Sequence, residues 1–290
     1  MTGLRVPVLM FHHVEAVPAA DLVPPPLHPD SYLARPKLAA VLDTLAYHGH
    51  RTMTLAEAAA RSRAGRRLPR RAVVLTFDDG CRCFREQVMP ELAARGMTAT
   101  LFAVSGELGG SNRWDRPPGK PGERREELLD AAALRALIAA GVEVGSHGRR
   151  HLDLTACDDA TLAGEVAGSR EDLAAAIGSP VATFCYPYGR LDARVRAAAA
   201  GAGYAAAAAI HGVSEARSGD LFALPRLAVN PRDGRFELLL KASGAYRWWS
   251  RLPRLGLLQV LRRGAAGGAG VAPAASAKPS SSQEVPHDEQ

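Results

Sequence analysis

Apolar positions along the chain change period, and the changes mark its elements. An apolar run over 6–11 is too short for a helix and predicts a buried strand; the Pro- and Ala-rich stretch 17–29 predicts a surface loop. Leu38, Val41, Leu42 and Leu45 recur at helical spacing up to Gly49, and a second short helix is expected from Thr54, before a basic, Pro-containing turn over 66–71. From there strand and helix alternate. Strands are expected over 72–77, 98–104, 142–145, 181–186 and 204–210. Helices are expected over 84–95 and 128–140, stopped by Gly96 and Gly141, and over 159–177 and 193–200. Repeated βα units imply a parallel sheet, and this many around one core favour a single α/β barrel over an open sheet. A last strand over 227–230 and a closing helix over 236–241 complete the pattern.

This divides the chain into a barrel domain over 1–245, with its motif core at 71–230, and two C-terminal segments. Residues 246–263 set Trp248, Trp249 and several Arg among Leu and Val, as in an amphipathic basic helix that packs on a core or lies on a membrane surface. Residues 264–290, rich in Ala, Gly, Pro and Ser, are expected to be disordered.

Composition changes this picture little. With 47% hydrophobic and 23% charged residues in 290, a substantial core can be built. The net charge of +6 is spread without a basic run or a recognition motif, which argues against a nucleic-acid partner. Cys81, Cys83, Cys157 and Cys185 fit neither zinc-ribbon spacing nor a dense disulfide framework, so free thiols are expected. His12 and His13 interrupt the first apolar run too early for an export signal, and no later run is long enough to span a bilayer. A cytoplasmic protein is expected, with the inner membrane face as a second possibility through the basic helix.

Chemistry concentrates at the C-terminal ends of three expected strands: Asp78-Asp79-Gly80, Ser146-His147 continuing to His151, and Tyr186-Pro187-Tyr188-Gly189. That edge of a parallel α/β sheet is where ligands bind. Adjacent carboxylates at a strand end project differently, so one can hold a metal while its neighbour handles a proton. His147 and His151, read as i, i+4 on one face of a helical turn, can reach one ion. With Asp79 they form a set that leaves positions open for water and substrate. Zn²⁺ suits these donors, and Co²⁺, Ni²⁺ or Fe²⁺ are also accommodated.

In their order and strand-end placement, Thr76-Phe77-Asp78-Asp79-Gly80, Ser146-His147-Gly148-Arg149-Arg150-His151 and Phe184-Cys185-Tyr186-Pro187-Tyr188-Gly189 resemble the first three motifs of the polysaccharide deacetylases, the NodB-homology family of carbohydrate esterases. The third motif is like that of the subgroup reading Tyr-Pro-Tyr-Gly, and Met10-Phe11-His12-His13-Val14 is similar to the family's opening strand. The resemblance implies a distorted (β/α)₇ barrel and metal-dependent removal of N-acetyl groups from an acetylated sugar, in a polysaccharide, oligosaccharide or lipid-linked precursor. It implies Asp78 as base, Asp79, His147 and His151 as metal ligands, and the backbone N–H of Tyr188 at the oxyanion. Tyr186 and Pro187 would line the substrate site. Two features depart from the family. The usual motif-three Arg is replaced by Cys185, for which Arg226 is either a substitute orienting Asp78 or a packing residue. The late Leu-His motif has no match, leaving His12, His13 or His211 as candidate general acids. Trp114, in a long loop, either stacks on a sugar or packs that loop. Relatives on this scaffold cleave other C–N bonds, so an amidohydrolase of small amides or cyclic imides is the alternative, with a silent carbohydrate-binding module as a third reading.

Overall fold

The computed structural model describes residues 6–26, 28–115, 125–210 and 219–246. All but the first residue of the expected helix over 246–263, the tail over 264–290 and His211 lie outside them. Among the described residues ten strands run in chain order: β1 Val8–Phe11, β2 His13–Glu15, β3 Tyr32–Ala34, β4 Arg51–Met53, β5 Ala72–Phe77, β6 Thr100–Ala103, β7 Glu143–Ser146, β8 Thr183–Cys185, β9 Ala206–Ile210 and β10 Leu224–Ala228. The helices are α1 Arg35–Tyr47, α2 Leu55–Arg63, α3 Met89–Ala93, α4 Ala131–Ala139, α5 Asp159–Ala163, α6 Ser169–Ile177, α7 Ala193–Gly201 and α8 Arg235–Ser243.

Seven strands form a closed parallel barrel in the order β1-β10-β9-β8-β7-β6-β5, with β5 pairing back to β1 along Val74 to Phe77. The distortion is local. β4 pairs with the first half of β5, through Val74, and β6 takes over from Thr76. The side chains of Thr52 and Thr100 bridge the split by accepting the N–H groups of Thr98 and Leu55. β2 and β3 make a small separate parallel pair.

Strand alternation sorts the core into two layers. Val8, Val74, Phe102, Cys185, Ala206, Ala208 and Leu224 cluster together as the barrel's filling, joined by Leu55, Ala58 and Ala59 of α2. Leu9, Val73, Leu75, Phe77, Leu101, Phe184 and Ala207 belong to the layer packed against the other helices. Gly145 of β7 is required by the filling, because a Cβ there would lie 2.6 Å from the Phe102 ring and 2.6 Å from Thr183 Oγ1.

Several expected elements differ in detail. The helix expected from 128 starts at Ala131, because Asp130 caps it by accepting the Ala133 N–H while Leu128 and Leu129 bond back to Gly110 and Gly80. The last strand covers Leu224–Ala228 rather than 227–230, which brings Arg226 into the barrel. The segments over 84–95 and 159–177 each contain a wide π-helical turn, at Phe84–Val88 and Gly164–Gly168. Among the described residues no helix is long and apolar enough to cross a membrane.

Candidate metal and catalytic site

Asp78 continues the inward alternation of Ala72, Val74 and Thr76, so its carboxylate enters the top of the barrel, where its residue is 2% exposed. The chain then turns sharply through Asp79, with φ 72°, and Gly80, with φ 75°. Gly80 is needed twice over: the left-handed backbone favours it, and a Cβ would sit 3.2 Å from the Ala103 Cα. The turn sends the Asp79 carboxylate to His147 and His151, whose Nε2 atoms each lie 3.6 Å from Asp79 Oδ1. One donor atom from each of the three lies within 4.8 Å of the others.

The two histidines do not share a helical turn. His147 directly follows β7, and the chain reaches His151 through a loop in which Gly148 and His151 both have positive φ. The i, i+4 spacing brings the rings together, with centroids 4.8 Å apart, through loop geometry instead. A buried carboxylate holds this loop. Glu165, whose side chain is fully buried in the π-helical turn, accepts the backbone N–H groups of Arg149 at 3.0 Å and Arg150 at 2.9 Å, and the Arg150 Nε at 2.8 Å. The sequence reading missed Glu165. Its signal was a lone acid among the buried positions Leu162, Val166, Ser169 and Leu173.

The donor set fits a borderline divalent cation. Nδ1 of His147 donates to the Cys185 carbonyl at 2.8 Å, which leaves the Nε2 lone pair facing Asp79. Burial pushes the His147 pKa down to about 4, against the pull of Asp78, and burial also pushes His151 down, so both rings are neutral near neutral pH. Neutral imidazoles beside a carboxylate, three protein donors in all, are the ligand state such a site requires.

Arg226 is 0% exposed and spans the barrel top. Its Nη1 donates to Asp78 Oδ1 at 2.6 Å and its Nη2 to Oδ2 at 2.8 Å, a bidentate pair, while Nη2 also meets Cys185 Sγ at 3.0 Å. Burial alone would raise the Asp78 pKa, but the guanidinium, with His147, more than offsets it and holds the carboxyl well below the usual range. The small lumen-facing Ala206 and Ala208 of β9 leave room for this long side chain, whose guanidinium lies 5.7 Å from the centre of the Phe102 ring. His12 Nε2 is 3.7 Å from Asp78 Oδ2, and His13 Nε2 is 3.6 Å from Asp79 Oδ2.

The two residues expected to line the substrate site, Tyr186 and Pro187, are both buried. Tyr186 is fully buried and its hydroxyl donates to the Phe222 carbonyl at 2.8 Å. Tyr188, with φ 58°, stays 43% exposed and sets its ring edge-on to His151 at 4.7 Å. Trp114 stacks on His151 from another side, with centroids 4.7 Å apart. A cleft of about 550 Å³ lies here, lined by Trp114, His151, Tyr188, Glu107, Asp153 and Arg190. Of the four non-glycine residues with positive φ among the described residues, Asp79, His151 and Tyr188 are at this site. Such concentration of backbone strain is typical of functional edges.

Comparison with known proteins agrees with this geometry. Residues 65–207 match the family model for polysaccharide deacetylase. YxkH of Bacillus subtilis, whose name places it among the polysaccharide deacetylases, is 23% identical over 229 residues, covering 78% of this chain and 72% of its own. The solved deacetylase PplD of Streptococcus pyogenes, in complex with acetate, superposes with a TM-score of 0.67 at 19% identity, over 83% of this chain and 99% of that one. A de-N-acetylase from Aggregatibacter actinomycetemcomitans gives 0.67 at 20% identity, over 81% and 98%. IcaB from Ammonifex degensii gives 0.63 at 22% identity, over 83% and 97%. The likeness to these solved deacetylases shows that the chain has their barrel fold.

Proposed function

We propose that this protein is a metal-dependent hydrolase that removes the acetyl group from an N-acetylated amino sugar in a polysaccharide, oligosaccharide or lipid-linked glycan. The observation that carries the reading is the buried Asp78, gripped by Arg226 and held ionised beside the Asp79, His147 and His151 donors. The family match and the names of the neighbours, a de-N-acetylase among them, add the sugar amide as substrate class.

In this reading Asp79, His147 and His151 hold one divalent cation, with Zn²⁺ best suited to the donors. A cation there supplies Lewis acidity, polarising the acetyl oxygen and acidifying water. Asp78 accepts the proton of the attacking water. A carboxylate with so low a pKa is always in its basic form yet is a weak base, so it suits a nucleophile already made acidic. Arg226 is a positioning residue, fixing both Asp78 oxygens so that the base does not rotate away. The backbone N–H of Tyr188 stabilises the developing oxyanion. His12, beside Asp78 and partly open to solvent, delivers the proton to the leaving amine. Trp114 offers an aromatic face at the cleft for a sugar ring.

Acetate release from N-acetylglucosamine oligomers tests the reading. Activity is expected to disappear on metal chelation, to return with Zn²⁺ or Co²⁺, and to fall about 10²–10⁴-fold in Asp78→Asn. Turnover that persists after thorough metal removal would overturn it.

A further inference from the structure

The turn after Asp79 gathers a second set of donors that the proposed reaction does not use. Cys81 and Cys83, two residues apart, come together with His13, and one donor atom from each lies within 4.8 Å of the others. All three residues are buried and both cysteines are free thiols. Each sulfur accepts a backbone N–H: Cys83 N donates to Cys81 Sγ at 3.3 Å and Val14 N to Cys83 Sγ at 3.5 Å. The neighbouring Cys83 and burial push the Cys81 thiol up, so a metal there displaces its proton. An isolated bridge between Cys81 and Leu128 holds the first cysteine in place. Tyr32 stacks on the His13 ring with centroids 4.4 Å apart, and its hydroxyl donates to Glu126 at 3.0 Å.

A cavity of about 590 Å³ opens onto both thiols. Glu15, Glu86, Glu126 and Glu127 line it against Arg82 and Arg125, so carboxylates outnumber guanidiniums and the entrance favours cations. The surroundings thus combine two sulfurs, an imidazole and an acidic approach. Hard ions prefer oxygen, whereas thiolate with imidazole selects zinc-like ions.

We propose that Cys81, Cys83 and His13 form a second metal site, for a borderline-soft divalent cation of the Zn²⁺ class, separate from the Asp79, His147 and His151 site. Binding releases the thiol protons to solvent, and the fourth position is left for water or a carboxylate of the cavity. The site is structural in consequence. It ties β2 to the turn that follows Asp79, and His13 lies 3.6 Å from the Asp79 carboxylate, so an occupied second site braces a ligand of the first. It does not depend on the deacetylase reading.

The test is a Co²⁺ titration of the full-length, metal-stripped protein kept reduced. Two equivalents are expected, one of them bringing a thiolate-to-cobalt charge-transfer band, which the sulfur-free Asp79 site cannot produce. Cys81→Ser/Cys83→Ser should lose that band and one of the two equivalents, while Asp79→Asn should keep the band. A saturated wild-type protein without the band, or a band that survives Cys81→Ser/Cys83→Ser, overturns the proposal. Should the double variant not fold, X-ray absorption of the zinc-loaded wild type decides. Sulfur scatterers at about 2.3 Å support the site, and nitrogen and oxygen neighbours alone overturn it.

Discussion

Two carboxylates sit inside the same barrel, at opposite ends, and their environments push them in opposite directions. At the C-terminal edge Asp78 is gripped by Arg226, and its pKa is held well below the usual range. At the N-terminal end Glu143 is enclosed by neutral donors: the Thr183 hydroxyl at 2.5 Å, the Thr100 hydroxyl at 2.8 Å and the Ala56 N–H at 2.9 Å. Burial, only partly offset by those bonds, pushes its pKa up. Here the hydroxyl and amide donors offset only part of the desolvation at Glu143, whereas the guanidinium more than offsets it at Asp78. The barrel places its buried cation where chemistry is proposed and leaves the other end to neutral packing.

The sharpest way to break this contrast is to remove Arg226. Arg226→Met strands an ionised carboxylate in the lumen, and the expected cost is about 3–5 kcal/mol of stability, measured by denaturant unfolding. In the surviving fold the Asp78 pKa rises, so the acid limb of the activity profile should move to higher pH. A merely structural Arg would leave that limb in place. Asp78→Asn strands the guanidinium instead and should be similarly costly. Combining it with Arg226→Met removes both charges, and the double variant should be more stable than additivity of the singles allows, by about 0.5–3 kcal/mol.

Next in size is the loop that carries both histidines. Glu165→Gln replaces one acceptor oxygen of a fully buried clamp with an amide donor facing other donors. We expect a loss of about 1–3 kcal/mol in stability and a 10–100-fold weaker metal affinity, read by competition with a chromogenic chelator. Unchanged affinity would show that the loop holds its shape without the clamp.

The smallest effect belongs to the other end of the barrel. Because Glu143's folded pKa is raised, its favourable contribution is fully present below the unfolded value near 4.5 and is lost as pH rises through the folded one. Glu143→Gln should therefore gain on the wild type between acidic and neutral pH, by about 1 kcal/mol, with activity unaltered. Asp78, with its pKa lowered, has the reverse sign: its stabilisation is present above about 3.8 and is lost as pH falls. Thermal melts from pH 2 to 7 check both directions.

Much of the scaffold was readable from pattern because parallel strands buried on both faces are continuous apolar runs, and β5 and β9 announce themselves. The strands that escaped, β2, β3 and β4, have only three residues each and carry His, Tyr or Arg, too little for any period to register. The site divides in the same way. Asp78 and Asp79, with His147 and His151, stand close enough in sequence to be seen as motifs. Arg226 reaches Asp78 across a separation of 148 residues, and Glu165 reaches Arg150 across 15. No local spacing connects such pairs.

What the chain alone determined is therefore its local chemistry: the order of strands and helices, the strand ends where polar residues gather, and the adjacent carboxylates that alternation sends to different tasks. Barrel closure determined the rest. It brought β10 beside β1 and Arg226 onto Asp78, turned Tyr186 into the core, and set His13 against Asp79 on one side and the thiols on the other. The physical reason is that charge compensation in a low-dielectric interior depends on distance in space, and only the folded barrel sets those distances.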